Sequence, residues 1–353
     1  KSPFANHLSS RRLKMLTIFQ NMQRTCSVAL ALSRSYHSCN EKTLTTTINQ
    51  LSSLSTTTRL FSIGSSDFIP PTPPASNGFS IYSDIKLPDD ASSATEAHKR
   101  KIDPDAVFVV TGSSRGIGLQ FVKELVKRTK GSIVAACRNP TTASGLNDYM
   151  ESLSPSEKKR VHTVSLDLEN QSSIEEASLF VRDNFNNRVD LLLNVAGILG
   201  DGTSTPGPER SITKLDRDWI EKTMAINTIG PMMLSKEIIP MMKTKKGRGG
   251  SDENRPISIV ANLSARVGSV SDNELGGWYS YRFSKAALNQ ATRTMSHELK
   301  RQGTWSIALH PGTTNTDLSK PFQRNVADGR LFPVEFTVEQ LLNVIDSMEA
   351  EHS

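Results

Sequence analysis

The chain is predicted to fold as an α/β protein with a doubly wound parallel sheet lying between two layers of helices. Three features carry that prediction. From Ala106 onward short apolar runs alternate with amphipathic helical stretches, the runs are continuously apolar as strands covered on both faces must be, and a glycine-rich turn follows the first of them directly. Six strands are expected, at Val107 to Val110, Ser132 to Ala136, Val161 to Ser165, Val189 to Leu193, Ile257 to Ala261 and Trp305 to His310. Leu119 to Arg128 and Ala286 to Arg301 read as helices from their apolar spacing, and Val338 to Met348 as the last one. No repeat of the solenoid kind interrupts the pattern.

At 353 residues the chain has room for one large domain and an appendage. Its net charge of +6 suggests a nucleic-acid or membrane-surface role until the charges are located. Lys1, Arg11, Arg12, Lys14, Arg24, Arg34, Lys42 and Arg59 face a single acid, Glu41, within residues 1–66, so that stretch carries +7 and the remainder about −1. The body therefore offers phosphate backbones no net attraction, and nucleic acid is not an expected partner. Residues 1–60, arginine-dotted and rich in Ser and Thr, have the composition of an organelle-targeting extension. Arg34 to Ser38 resembles a mitochondrial processing site, so the expected destination is the mitochondrion, with the chloroplast as the alternative. Residues 61–101, with Pro70, Pro71, Pro73 and Pro74, read as a linker, and 102–353 as the folded domain. Of three cysteines only Cys137 falls in that domain, so no disulfide framework is expected. No apolar run approaches the ~20 residues of a membrane-spanning helix, and the histidines show no metal-ligand spacing.

The turn Thr111-Gly112-Ser113-Ser114-Arg115-Gly116-Ile117-Gly118 lies between a strand and a helix. Its glycines fall where the backbone must turn tightly and approach a pyrophosphate, and the helix adds its positive dipole end. The Gly-Lys-Ser/Thr ending of a P-loop is absent. About 20 residues on, where an NAD site places an acid on the ribose 2′-hydroxyl, the second strand ends in Ala136-Cys137-Arg138. Arg138 can pair with a 2′-phosphate and Arg115 can add a second cation, so NADP(H) is expected in preference to NAD(H).

Tyr281 and Lys285 stand four residues apart, one helical turn, and so share a face. A lysine cation beside a phenol favours the phenolate, which would let Tyr281 exchange a proton with a carbonyl or hydroxyl oxygen near neutral pH. Ser264, after the fifth strand, can hydrogen-bond to the same oxygen, and Asn227 can hold a water that continues the proton path beyond Lys285.

In this order and spacing the glycine turn at 111–118, Asp167-Leu168, Asn194-Val195-Ala196-Gly197, Asn227, Ser264, Tyr281 with Lys285, and Pro311-Gly312 resemble the short-chain dehydrogenase/reductase superfamily from about Asp105 onward. Tyr-Arg-Phe-Ser-Lys-Ala-Ala-Leu-Asn at 281–289 and His-Pro-Gly at 310–312 are most similar to its C-factor-like, carbonyl-reductase-like group. The resemblance implies a Rossmann-type fold and a catalytic tetrad of Asn227, Ser264, Tyr281 and Lys285. It implies a cofactor site in which Asp167 and Leu168 lie beside adenine, Asn194, Ala196 and Gly197 wall the cofactor, Lys285 holds the nicotinamide ribose, and Pro311, Gly312, Thr313 and Thr316 line the nicotinamide end. It also implies a homodimer or homotetramer. The activity expected is reduction of a small-molecule carbonyl, or oxidation of the alcohol; the alternative is a non-enzymatic NADP(H)-binding regulatory or redox-sensing protein.

Three departures from a minimal member stand out. Gly200 to Ser211 and Lys243 to Pro256 are long loops, read as tolerated surface insertions because loop lengthening costs little. The stretch between Ser264 and Tyr281, with Gly276-Gly277-Trp278, lies where a substrate would lean on the tetrad. After the last helix too few residues remain for a seventh strand, so the sheet is expected to lack its final strand.

Overall fold

The computed structural model describes residues 91–246, 250–251 and 255–348. The targeting extension expected over 1–60, and residues 61–90 of the expected linker, lie outside them. Six strands, β1 (Val107–Thr111), β2 (Ser132–Cys137), β3 (Val161–Ser165), β4 (Leu191–Asn194), β5 (Ser258–Leu263) and β6 (Thr304–Leu309), form one sheet in the order β3-β2-β1-β4-β5-β6. Every neighbouring pair is parallel. The chain winds outward from β1 to β3, then returns to β4 on the other side of β1. That reversal opens a crevice at the carboxyl ends of β1 and β4, where a doubly wound sheet binds its ligand. Among the described residues no strand of this sheet lies beyond β6; a separate parallel ladder joins Thr313–Thr314 to Leu331–Phe332.

Strand alternation divides the core into two layers. Phe108 and Val110 point to the face covered by α2 (Gly116–Arg128), α3 (Ser144–Ser152) and the C-terminal helix, meeting Phe121, Leu125, Leu146, Val338 and Leu341. Val107 and Val109 point to the opposite face, meeting Ile174 and Val181 of α4 (Gln171–Asn184), Leu234 and Ile238 of α6 (Gly230–Ile238), and Met295 and Leu299 of α7 (Tyr279–Leu299). Between α4 and α6 runs α5 (Arg217–Met224), and α8 (Val334–Asp346) is the C-terminal helix. Side chains such as Phe121 and Ile238 are fully buried; each contributes about 1.5–3 kcal/mol.

Two boundaries differ from expectation in ways that matter. The first is α1 (Ala91–Ile102), a helix over what was read as the end of the linker. Glu96 accepts from the Ile257 N–H (2.8 Å), Arg100 donates to the Ile257 carbonyl (3.0 Å), and Lys101 pairs with Asp346 (2.6 Å). These long-range bonds, invisible to local composition, tie the helix to the amino end of the sheet, so the folded body begins before residue 102. The second is α7, which starts at Tyr279 rather than Ala286 and so brings Tyr281 into its first turn.

Candidate active site

The glycine turn closes against its neighbours as tightly as backbone allows. A Cβ on Gly112, which has φ +69°, would lie 2.9 Å from the Ala196 Cα, and one on Gly118 would lie 2.2 Å from the Gly112 carbonyl oxygen. Gly116 takes φ +55° with Thr316 alongside, so the segment after β6 meets the turn after β1. Two polar side chains of the turn, Thr111 and Ser113, face inward. Thr111 Oγ1 accepts from the Val195 and Ala196 N–H groups (3.0 and 3.1 Å), and Ser113 Oγ donates to the Ala136 carbonyl (2.9 Å). Both are buried and lock the turn to β4 and β2. Ile117 packs on the core, while Arg115, the N-cap position of α2, is exposed and makes no cap of its own. The first turn of α2 therefore presents its N–H groups to the crevice.

Arg138, beyond β2, is exposed, and among the described residues no acid is paired with it; Arg115 reaches only the exposed Asp317, at 3.9 Å. The Asp167 carboxylate curls onto its own turn, accepting from the Glu169 N–H, and Leu168 is buried against Gly230. Asn194 is the last residue of β4. Its side chain turns into the core, donating to Asn262 (2.8 Å) and Ser235 (3.2 Å), with its Oδ1 buried and unpartnered. It ties β4 to β5 and α6. Past β6, Gly312 has φ +67° and would strike the Phe332 ring with a Cβ, fixing the path of Pro311 and Thr313.

The four tetrad candidates converge on the same end of the sheet. Asn227 sits in a π-helical turn, Ala225–Ile229, between α5 and α6; such turns recur at functional sites. Its amide accepts from the Ile198 N–H (2.8 Å) and donates to the Ile198 carbonyl (2.8 Å) and Ser284 (3.1 Å). A Cβ on Gly197 would lie 3.1 Å from Asn227 Oδ1 and 3.7 Å from Lys285 Nζ, so glycine there lets the amide and the ammonium approach one another. Lys285 Nζ donates to the Leu263 carbonyl (2.7 Å) and lies 5.7 Å from the centre of the Tyr281 ring. Burial pushes the Lys285 amine down to about 8 and the Tyr281 phenol up to about 12. Desolvation raises the phenol, and no lowering by the Lys285 ammonium accompanies it at this separation. No partner of the Tyr281 hydroxyl occurs among the described residues.

Residues 106–327 match the profile of the family described as short chain dehydrogenase. The chain belongs to that family. Among solved structures it resembles the NADPH-bound carbonyl reductase from chicken fatty liver, with 29% identity and a TM-score of 0.59 over 70% of this chain and 94% of that one. It also resembles the carbonyl reductase Sniffer of Drosophila melanogaster, with 26% identity and a TM-score of 0.58 over the same shares. C-signal of Myxococcus xanthus is 34% identical over 165 residues, 47% of this chain and 85% of that protein.

In this short chain dehydrogenase several site residues escaped the sequence reading. Asn289 Oδ1 accepts from the Ser264 hydroxyl at 2.6 Å; the i, i+4, i+8 spacing of Tyr281, Lys285 and Asn289 was the available signal. Gly268 makes room for this contact, since its Cβ would lie 2.8 Å from the Lys285 carbonyl carbon and 2.9 Å from Asn289. Arg282 donates to the carbonyls of Val267, Gly276 and Gly277, pinning both feet of the intervening loop to α7. Trp278, held at φ +56°, lies edge-on to Tyr281 (6.3 Å) and against Phe322 (5.1 Å). Among the described residues no cluster of three or more potential metal ligands occurs, and no helix is long and apolar enough to cross a membrane.

Proposed function

We propose that this protein is an NADP(H)-dependent oxidoreductase that reduces a carbonyl to the alcohol, or runs the reverse oxidation, with Tyr281 as proton donor or acceptor. The observation that carries the reading is the placement of Tyr281 in the first turn of α7, one helical turn from the buried Lys285, at the end of the sheet where the strand order reverses. A phenol at that position can give its proton to the oxygen that a reduction leaves negative, the role of a general acid. The Ser264 hydroxyl is directed by Asn289, and Asn227 holds the backbone of Ile198 at the start of the next loop.

The glycine cradle fits a dinucleotide: at Gly112 and Gly118 a side chain would collide with backbone, and the first turn of α2 leaves its N–H groups uncapped. Arg138 and Arg115, exposed beyond β2 and β1, suit a 2′-phosphate, and the chicken carbonyl reductase that this chain resembles was solved with NADPH. When bound, the dihydronicotinamide supplies the hydride.

The test measures NADPH and NADH binding by fluorescence, and NADPH oxidation with a panel of aldehydes, ketones and quinones, using the purified protein and its Tyr281→Phe variant. Turnover lost in the variant, with NADPH preferred and that preference erased by Arg138→Glu, supports the reading. Tight NADPH binding without turnover on any carbonyl replaces it with a binding or sensing role, and no cofactor binding at all refutes it.

A further inference from the structure

The geometry points to Glu209 as the residue that positions Tyr281, by capping the catalytic helix α7 from the loop at 200–211; this rests on the proposed function of that helix. The loop was read as a surface insertion, yet Glu209 is only 5% exposed. Its carboxylate accepts from the Ser280 N–H (3.2 Å) with one oxygen and from the Ser280 hydroxyl with the other, and its backbone carbonyl accepts from the Trp278 N–H (2.5 Å). One residue thus satisfies the entry to α7, whose own N-cap, Trp278, is left-handed and supplies no side-chain cap. Gly277 permits the approach, since a Cβ there would lie 3.2 Å from the Glu209 carbonyl oxygen. The first turn of a helix leaves N–H groups without intrahelical partners, and the buried Glu209 side chain meets one of them at Ser280.

The loop can transmit position because it is anchored along its length. Its approach is held at Ile198 by both ends of the Asn227 amide. Gly200 and Gly207 pack so closely on Trp219 of α5 that a Cβ on either would fall within 2.8 Å of the indole. Asp201 gathers the Thr203 and Thr205 N–H groups and the Ser204 and Thr205 hydroxyls. Glu209 therefore joins the loop that Asn227 holds at Ile198 to the turn that carries Tyr281, and removing it loosens the placement of the phenol.

The test compares the full-length protein with Glu209→Ala and Glu209→Gln, using NADPH with menadione and 4-nitrobenzaldehyde as probes. It also follows hydrogen exchange of the peptide spanning 276–286. Glutamine keeps an acceptor for the Ser280 N–H and can donate to the Ser280 oxygen. In Glu209→Ala, kcat is expected to fall about tenfold or more, with the KM for NADPH within about twofold and faster exchange in the first turn of α7. Glu209→Gln is expected to restore kcat to within about threefold of wild type. Wild-type kcat in Glu209→Ala, or a loss in Glu209→Gln as deep as in Glu209→Ala, overturns the positioning role. If the unmodified protein turns over neither probe, the reductase reading is decided by the wider carbonyl panel, and exchange alone decides the cap: unchanged exchange in Glu209→Ala refutes it.

Discussion

The two ends of the sheet treat buried charge in opposite ways. At the amino end, Asp190 is fully buried and saturated: it accepts from the Val107 N–H (2.9 Å), from Arg188 (2.8 Å) and from Arg255 (3.2 Å). Arg188 reaches on to Asp103, and Arg255 to the carbonyls of Val189, Met241 and Lys243. At the carboxyl end, Lys285 and Glu209 are just as buried, but neither has a counter-ion within pairing distance among the described residues; backbone groups, hydroxyls and an aromatic ring surround them. The first arrangement uses charge to join segments, because an ion buried with its partners locks them into one geometry. The second leaves Lys285 without a counter-ion, and burial lowers the proton affinity of its amine while raising that of the Tyr281 phenol.

That contrast can be broken most sharply by comparing one residue from each end. Tyr281→Phe is expected to lower turnover about 10²–10⁴-fold, as loss of a general acid does, while leaving the denaturation midpoint near wild type. Asp190→Ala is expected to do the reverse: it removes the buried carboxylate that joins Arg188 to Arg255 and leaves the Val107 N–H without its acceptor, which costs about 3–5 kcal/mol. Chemical denaturation monitored by tryptophan fluorescence measures that loss, and activity per folded molecule should be kept. A stable Asp190→Ala, or an unfolded Tyr281→Phe, would show that the ends are not specialised in this way.

The pH dependence sharpens the active end. Tyr281 stays protonated up to about 12, whereas Lys285 loses its proton through about 8. Below that pH the ammonium eases proton release from the phenol, and above it the amine is neutral and the phenol becomes a weaker acid. Carbonyl reduction at saturating NADPH should therefore hold steady toward neutral pH and decline as pH rises through about 8. In Lys285→Met the overall rate should be lower and that limb should vanish; a limb that persists belongs to another group.

The smallest expected effect is at Asn289. Replacing it with alanine removes the acceptor that orients the Ser264 hydroxyl and should lower kcat by about three- to tenfold with little change in KM, the scale of one neutral hydrogen bond. An unchanged kcat in steady-state assays would mean that Ser264 needs no orienting partner.

How far the sequence could be read follows the range of the forces involved. The strands were legible because a strand covered on both faces must be apolar at successive positions, as in Val107–Thr111. The glycine turn was legible because only glycine tolerates the close approaches at Gly112 and Gly118. Tyr281 with Lys285 could be read because one helical turn puts them on a common face. The inward turn of Asn194 was not, since its partners Ser235 and Asn262 lie 41 and 68 residues away. The helix at 91–102 escaped for a similar reason: Glu96 and Arg100 find their common partner, Ile257, some 160 residues on.

Local chemistry written along the chain, its apolar period, its glycines and its Tyr-Lys spacing, was thus sufficient for the architecture and for placing Tyr281 and Lys285 on one helical face. Their state was settled only by tertiary packing. Whether Tyr281 holds its proton, whether Arg255 in a polar loop becomes a buried ion-pair partner, and whether Glu209 caps the catalytic helix all depend on desolvation and on contacts between distant segments. Those quantities come into being only when the chain closes around the groups, so no window of sequence contains them.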